Sequence, residues 1–80
     1  MRMRLGRFLS SLTKPELEEL RGLLNLTEDD EKVFNELARG RSKICVADRC
    51  SISISTVSRS MNRIVDKIAR IERVVGIKYE

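Results

Sequence analysis

The feature that most constrains the fold is a pair of helix-forming segments separated by a short turn in the second half of the chain. The first segment begins after Ser42 and the second after Ser53, and serine is a preferred residue at the position that caps a helix N-terminus. In the first segment, Ala47 is small enough to allow two helices to cross closely. Ile52 lies in the turn, where an apolar side chain fills the angle between the helices. This spacing is typical of a helix-turn-helix.

A further helix is predicted between residues 13 and 25. Thr13 and Glu16 have the spacing of a capping box, Pro15 suits the first helical turn, and Asn25 ends the segment. The side chains expected on its buried face are Leu17, Leu20, Leu23 and Leu24.

Two more helices complete the prediction. One begins at Thr27, carries acidic residues in its first turn, where the helix dipole favours negative charge, and ends at Gly40. The last begins at Ile54 and extends to about Arg73, and Gly76 stops it. Its buried face is expected to comprise Val57, Met61, Ile64, Ile68 and Ile71, which recur at three- and four-residue steps.

These elements predict an all-α fold, a small helical bundle that contains the helix-turn-helix and an extra N-terminal helix. Residues 1–25 form an N-terminal basic segment and accessory helix, residues 26–75 the helix-turn-helix domain, and residues 76–80 a C-terminal tail. A chain of 80 residues has a limited core, which favours oligomerisation or binding to a partner.

The composition argues against several classes of function. There is no histidine, and Cys45 and Cys50 point in different directions on one helix, so we expect neither a metal site nor a disulfide. Neither a Gly-rich phosphate loop nor a pair of carboxylates indicates catalysis, and we expect no cofactor and no enzymatic activity. No apolar run approaches the ~20 residues of a membrane span. Reduced thiols fit a cytoplasmic protein.

The net charge of +4 is unevenly distributed along the chain. Residues 1–40 carry 7 basic and 8 acidic residues, whereas residues 41–80 carry 9 basic and 4 acidic ones. The basic excess therefore lies in the half that contains the helix-turn-helix. Such an excess favours a polyanionic partner, and a solvated basic surface explains the charge alone equally well.

The second helix of the motif carries a polar outer face. Its members are Ser55, Thr56, Ser58, Arg59, Asn62 and Arg63. In helix-turn-helix proteins this face enters the major groove of DNA, where arginine matches the acceptors of guanine and asparagine matches adenine. Ser42 and Lys43 lie at the N-terminus of the preceding helix, where backbone N–H groups favour a phosphate. We therefore expect the protein to bind double-stranded DNA.

This part of the chain resembles the LuxR/GerE family of DNA-binding domains, without a gap over about half the chain. The matching residues are Leu26-Thr27, Asp30, Val33-Phe34, Ala38, Gly40, Ser42, Val46-Ala47, Ile52-Ser53, Thr56-Val57, Ile64 and Lys67-Ile68. The promoter-reading C-terminal region of sigma factors has a similar pattern. The chain departs from the LuxR/GerE pattern at Asp29, Cys45, Cys50 and Ser60.

The resemblance implies a transcription regulator that acts as a homodimer on DNA. It implies base contacts from Ser55, Ser58, Arg59 and Asn62. It implies phosphate contacts from Thr56 and Lys67, to which the residue pattern adds Ser42, Lys43 and Arg63. RNA polymerase is a further candidate partner for a protein that acts at promoters.

Two alternatives stay open from the sequence. Residues 1–12 form a short basic amphipathic segment that packs on the domain or a partner chain, remains a frayed tail, or contacts DNA or a membrane surface. Residues 5–24 contain more leucine than a three-helix core requires. This excess favours a different function, that of a sigma-like or adaptor module whose helix-turn-helix binds a protein.

Overall fold

A computed structural model of the protein describes the backbone of residues 5–75 and the side chains of residues 5–71. Within that range the chain forms five helices and no strand. They are α1 (Leu5–Ser10), α2 (Lys14–Leu24), α3 (Glu28–Ala38), α4 (Lys43–Cys50) and α5 (Ile54–Val75). The fold is therefore all-α, as the sequence predicts. The stop at Gly76 and the tail of residues 76–80 lie outside the described residues.

The helices α2 to α5 begin at the side chains that the sequence indicates. Thr13 and Glu16 form the full capping box, because the Thr13 N–H donates to Glu16 Oε1 at 2.8 Å and the Glu16 N–H donates to Thr13 Oγ1 at 3.4 Å. The hydrogen bond from the Thr13 backbone holds the pKa of Glu16 below its ordinary value. The other capping oxygens belong to Thr27, Ser42 and Ser53, and each accepts the N–H three residues ahead.

The helices α2, α3 and α4 each end at a left-handed residue, and at the ends of α3 and α4 the chain also reverses through characteristic hydrogen bonds. At the end of α3, Gly40 has φ of 82°, and the N–H of Arg41 donates to the Glu36 carbonyl at 3.3 Å. At the end of α4, Ser51 has φ of 57°, and the N–H of Ile52 donates to the carbonyl five residues earlier at 3.0 Å. These are the bonds of a Schellman motif, which satisfies carbonyls that a helix end leaves unpaired.

All five helices contribute to one hydrophobic core. Its fully buried members are Leu5, Phe8, Leu9, Leu20, Leu24, Val33, Phe34, Leu37, Val46, Ala47, Val57, Ile64 and Ile68. The apolar side of α1 packs against α3, so residues 5–10 follow the first of the interpretations open to the N-terminal segment and pack on the domain. The long helix α5 crosses α2, α3 and α4 and carries the centre of the core.

One predicted face is wrong in part. Leu23 was expected inside with the other leucines of α2, but its side chain is 44% exposed. The seam of α2 runs through Leu20 and Leu24, and Leu23 lies about 80° from the centre of that seam at 100° per residue. On the remaining helices, Cys50, Met61 and Ile71 are only partly buried, at the edge of the core.

No helix in the described part of the chain combines the length and the apolar character needed to cross a membrane.

Candidate nucleic-acid interface

The helices α4 and α5 pack together around the turn that joins them. Val46 and Val57 are fully buried between them, and Ala47 is 6% exposed. Ile52 lies partly buried against the core in the turn itself. The hydrogen bonds at Ser51 end α4, and the Ser53 cap begins α5. Together these two caps fix the direction of α5 relative to α4.

The side of α5 that faces away from the core carries the residues predicted to contact bases. Ser55, Arg59 and Asn62 are exposed, and Ser58 is half-buried. Within residues 5–71, Arg59 makes no ion pair, so its guanidinium is free to bind an external acceptor. Thr56 is half-buried beside the turn, and its Oγ1 lies 2.9 Å from Ser53 Oγ.

Lys43 and Ser42 lie at the exposed N-terminus of α4. The Ser42 hydroxyl accepts the N–H of Cys45 at 3.2 Å, so it acts as the cap of this helix. Both residues line an open groove of about 810 Å³ that extends to Asn62 on α5. The structure therefore places the predicted phosphate site of α4 and one predicted base-contacting residue on the same groove.

Arg63, predicted to contact phosphate, is bound instead to a carboxylate of the protein itself. Its Nε and Nη2 donate to the two carboxylate oxygens of Asp30 at 3.0 and 2.8 Å, and the Ser60 hydroxyl donates to the same carboxylate at 2.6 Å. Asp30 is 1% exposed and Ser60 is 2% exposed. The hydrogen bonds from Arg63 hold the pKa of Asp30 below its ordinary value, against the opposing effect of burial. This network joins α3 to α5.

Lys67 is also engaged within the fold. Its ammonium donates to the carbonyl of Asn25 at 3.3 Å, where Asn25 ends α2 in the left-handed conformation. A cation at this position compensates the negative end of the α2 dipole. Three of the five residues predicted to contact phosphate are charged. Lys43 makes no ion pair within residues 5–71, whereas Arg63 and Lys67 bind groups on neighbouring helices.

A second ionic cluster, which the sequence analysis missed, surrounds Glu36 on α3. Arg49 Nε donates to Glu36 Oε1, and Arg41 and Arg39 approach the same carboxylate at 3.4 and 3.7 Å. The hydrogen bond from Arg49 lowers the pKa of Glu36 and raises that of Arg49. The cluster ties α4 to α3, and an acidic residue among three arginines 3 to 13 positions away was the only sequence signal for it.

Ile54 and Ile44 were also missed as surface residues of the motif. Ile54, the first residue of α5, is 48% exposed and lies one position before Ser55. Ile44, in the first turn of α4, is 70% exposed. Apolar side chains contact the methyl group of thymine in the major groove, so Ile54 belongs with the candidate base-contacting residues.

Cys45 and Cys50 are both free thiols, half-buried on α4. Comparison of the chain with protein-family models, with curated proteins and with solved structures gives no match.

Proposed function

We propose that this protein binds double-stranded DNA in a sequence-specific manner through α5, and that it is a cytoplasmic transcription regulator of the LuxR/GerE kind. The observation that carries the proposal is the division of α5 into two faces. Val57, Ile64 and Ile68 are fully buried on one side. On the other side, Arg59 and Asn62 are exposed, and both residue types make direct base contacts in the major groove.

The positions of the helix ends favour the same function. A helix N-terminus with an exposed lysine lies on the groove beside Asn62, and phosphates bind well where backbone N–H groups and a cation coincide. The basic excess of residues 41–80 adds a long-range attraction for a polyanion.

A homodimer is part of the proposal because one helix contacts only a short half-site. Two copies related by a two-fold axis would read half-sites about 34–36 Å apart. RNA polymerase is the protein partner that such a regulator would engage at a promoter. The two free thiols favour a reducing compartment.

Selection of bound sequences from a random duplex pool tests the proposal directly. We expect a palindromic consensus. Arg59→Ala should then reduce affinity by about 1–3 kcal/mol for the selected sequence and relax the preference at one base pair. Lys43→Ala should weaken binding to all sequences alike and reduce the slope of log affinity against log salt by about one unit.

The matched control for Arg59→Ala is Arg70→Ala, because Arg70 is an exposed arginine on the same helix three turns further along. We expect Arg70→Ala to leave the base preference unchanged. If Arg59→Ala and the wild type bind the selected duplex with equal affinity, α5 does not read bases as proposed.

A protein-interaction module is the second candidate function, and the exposed side chain of Ile44 favours it. An apolar residue that is 70% exposed beside the motif is better suited to a protein surface than to a phosphate backbone. Measurement of molecular size with and without DNA separates the two functions. A stable complex with a protein, in the absence of salt-dependent DNA binding, would favour this second candidate.

A further inference from the structure

We infer that α1, which lies outside the helix-turn-helix, forms part of the DNA-binding surface, and that Arg7 binds a backbone phosphate at the groove between α1 and the N-terminus of α4. The inference rests on the proposed function, because it assigns a further contact to the same duplex.

The groove is built from four parts of the chain. With a volume of about 810 Å³, it lies between α1, the turn after α3, the start of α4 and the middle of α5. Its rim carries Arg7, Arg41 and Lys43, and no acidic residue lines it among the described residues. Such a concentration of positive charge, with no carboxylate on the lining itself, favours an anionic occupant.

Two of the three cations are free to bind. Arg7 and Lys43 are exposed, and neither forms an ion pair within residues 5–71. Arg41 is partly compensated, since its Nε lies 3.4 Å from Glu36 Oε1. The N-terminus of α4, an eight-residue helix, opens beside Lys43 and adds its positive dipole end to the same rim.

The floor of the groove is apolar, and this strengthens the effect of the charges above it. Leu5 and Leu37, which are buried, and the half-buried Met61 form part of the lining. Coulomb interactions increase where the local dielectric is below that of water. A phosphate held against the apolar part of the lining is therefore less screened than one beside a flat, fully hydrated surface.

The position of Asn62 identifies the anion as a DNA backbone. Asn62 is exposed on the outer face of α5 and also lines the groove. A duplex whose base edge lies against this face brings its adjacent phosphates to the groove, whose lining includes both Lys43 and Arg7. An acidic protein segment would use the rim without any need for Asn62.

The test is the salt dependence of DNA binding by Arg7→Gln. In a salt series with a duplex selected from the random pool, the slope of log affinity against log salt should decrease by about 0.9 relative to wild type. The affinity should decrease about eightfold at 0.1 M salt for any sequence. Arg7→Lys should restore most of the slope. Because Arg7 is exposed and makes no ion pair within residues 5–71, both variants should fold, which thermal unfolding will verify.

Lys14→Gln is the matched control, since Lys14 is an exposed cation on α2 that does not line the groove. The inference is supported if only Arg7→Gln reduces the slope. It is overturned if Lys14→Gln has an equal effect, because net charge then explains the result. A wild-type slope in Arg7→Gln overturns the inference while the proposed function stands. The same conclusion follows if Arg7→Gln loses binding to polyglutamate, a polyanion without bases, while its slope for DNA stays intact. If the wild type shows no salt-dependent DNA binding, the proposed function fails and the inference fails with it.

Discussion

Replacement of Asp30 by Asn should destabilise the protein by about 2 kcal/mol. The substitution keeps the shape of the side chain, and the amide oxygen can still accept the Ser60 hydroxyl. It removes the negative charge that Arg63 binds, and it places the amide N–H₂ group against the N–H donors of Arg63. Hydrogen bonds to a charged group contribute about 1.5–3 kcal/mol. The Arg63 side chain is 54% exposed, so water replaces part of what is lost and the expected cost lies near the lower end.

Unfolding in urea at neutral pH measures this cost. A loss of about 2 kcal/mol corresponds to a decrease in Tm of roughly 10 °C in a domain of this size. Glu31→Gln is the control, because Glu31 is exposed in the first turn of the same helix and its replacement removes the same charge from the helix N-terminus. The difference between the two variants isolates the network. A difference below about 0.5 kcal/mol, the usual range for surface substitutions, would refute the reasoning.

The acid dependence of the same pair of proteins gives an independent check. The pKa of Asp30 is lower in the folded protein than its ordinary value of 3.8, because Arg63 and Ser60 donate to the carboxylate. A lowered pKa means that the stabilisation is present above pH 3.8 and is lost as the pH falls through the folded pKa. The gap in unfolding free energy between wild type and Asp30→Asn should therefore stay constant down to about pH 5 and then narrow. A gap that widens in acid would contradict the assignment.

Two further predictions concern the motif itself. Ser51→Gly should stabilise the protein by up to about 1 kcal/mol in urea unfolding, because glycine adopts the left-handed conformation without strain, whereas Ser51→Ala should give no gain. Ile54→Ala should abolish discrimination between thymine and deoxyuridine at one position of the selected duplex, with binding otherwise retained; equal discrimination in both proteins would exclude a methyl contact by Ile54.

The helix starts could be predicted from the sequence because each depends on a few adjacent residues. Thr13, Thr27, Ser42 and Ser53 all cap the helices that follow them. The separation of buried and exposed sides was also predictable on α5, where apolar residues recur over many turns. On the short helix α2 the same pattern was ambiguous by about a quarter-turn, and Leu23 was misplaced.

The links between helices could not be predicted, because they join residues distant in sequence. Asp30 and Arg63 are 33 positions apart, and nothing local distinguishes Arg63 from Arg59 on the same helix, which makes no ion pair within residues 5–71. The groove is a similar case. Arg7 and Asn62 line it from helices at opposite ends of the described chain, and the packing of α1 on α3 helps to bring them near each other.

The network around Asp30 also determines what Arg63 can contribute to DNA binding. Departure of Arg63 would leave the buried Asp30 carboxylate without its cation, which costs more than one exposed phosphate contact gains, so Arg63 should remain on Asp30 in the complex. Its charge is then largely compensated. We expect Arg63→Gln to lower the free energy of unfolding clearly but to reduce the salt slope by much less than Lys43→Ala does, as urea unfolding and a salt series on the same preparations would measure. A full unit lost from the slope, with stability unchanged, would mean that Arg63 leaves Asp30 for the phosphate and that the network does not hold α5 in place.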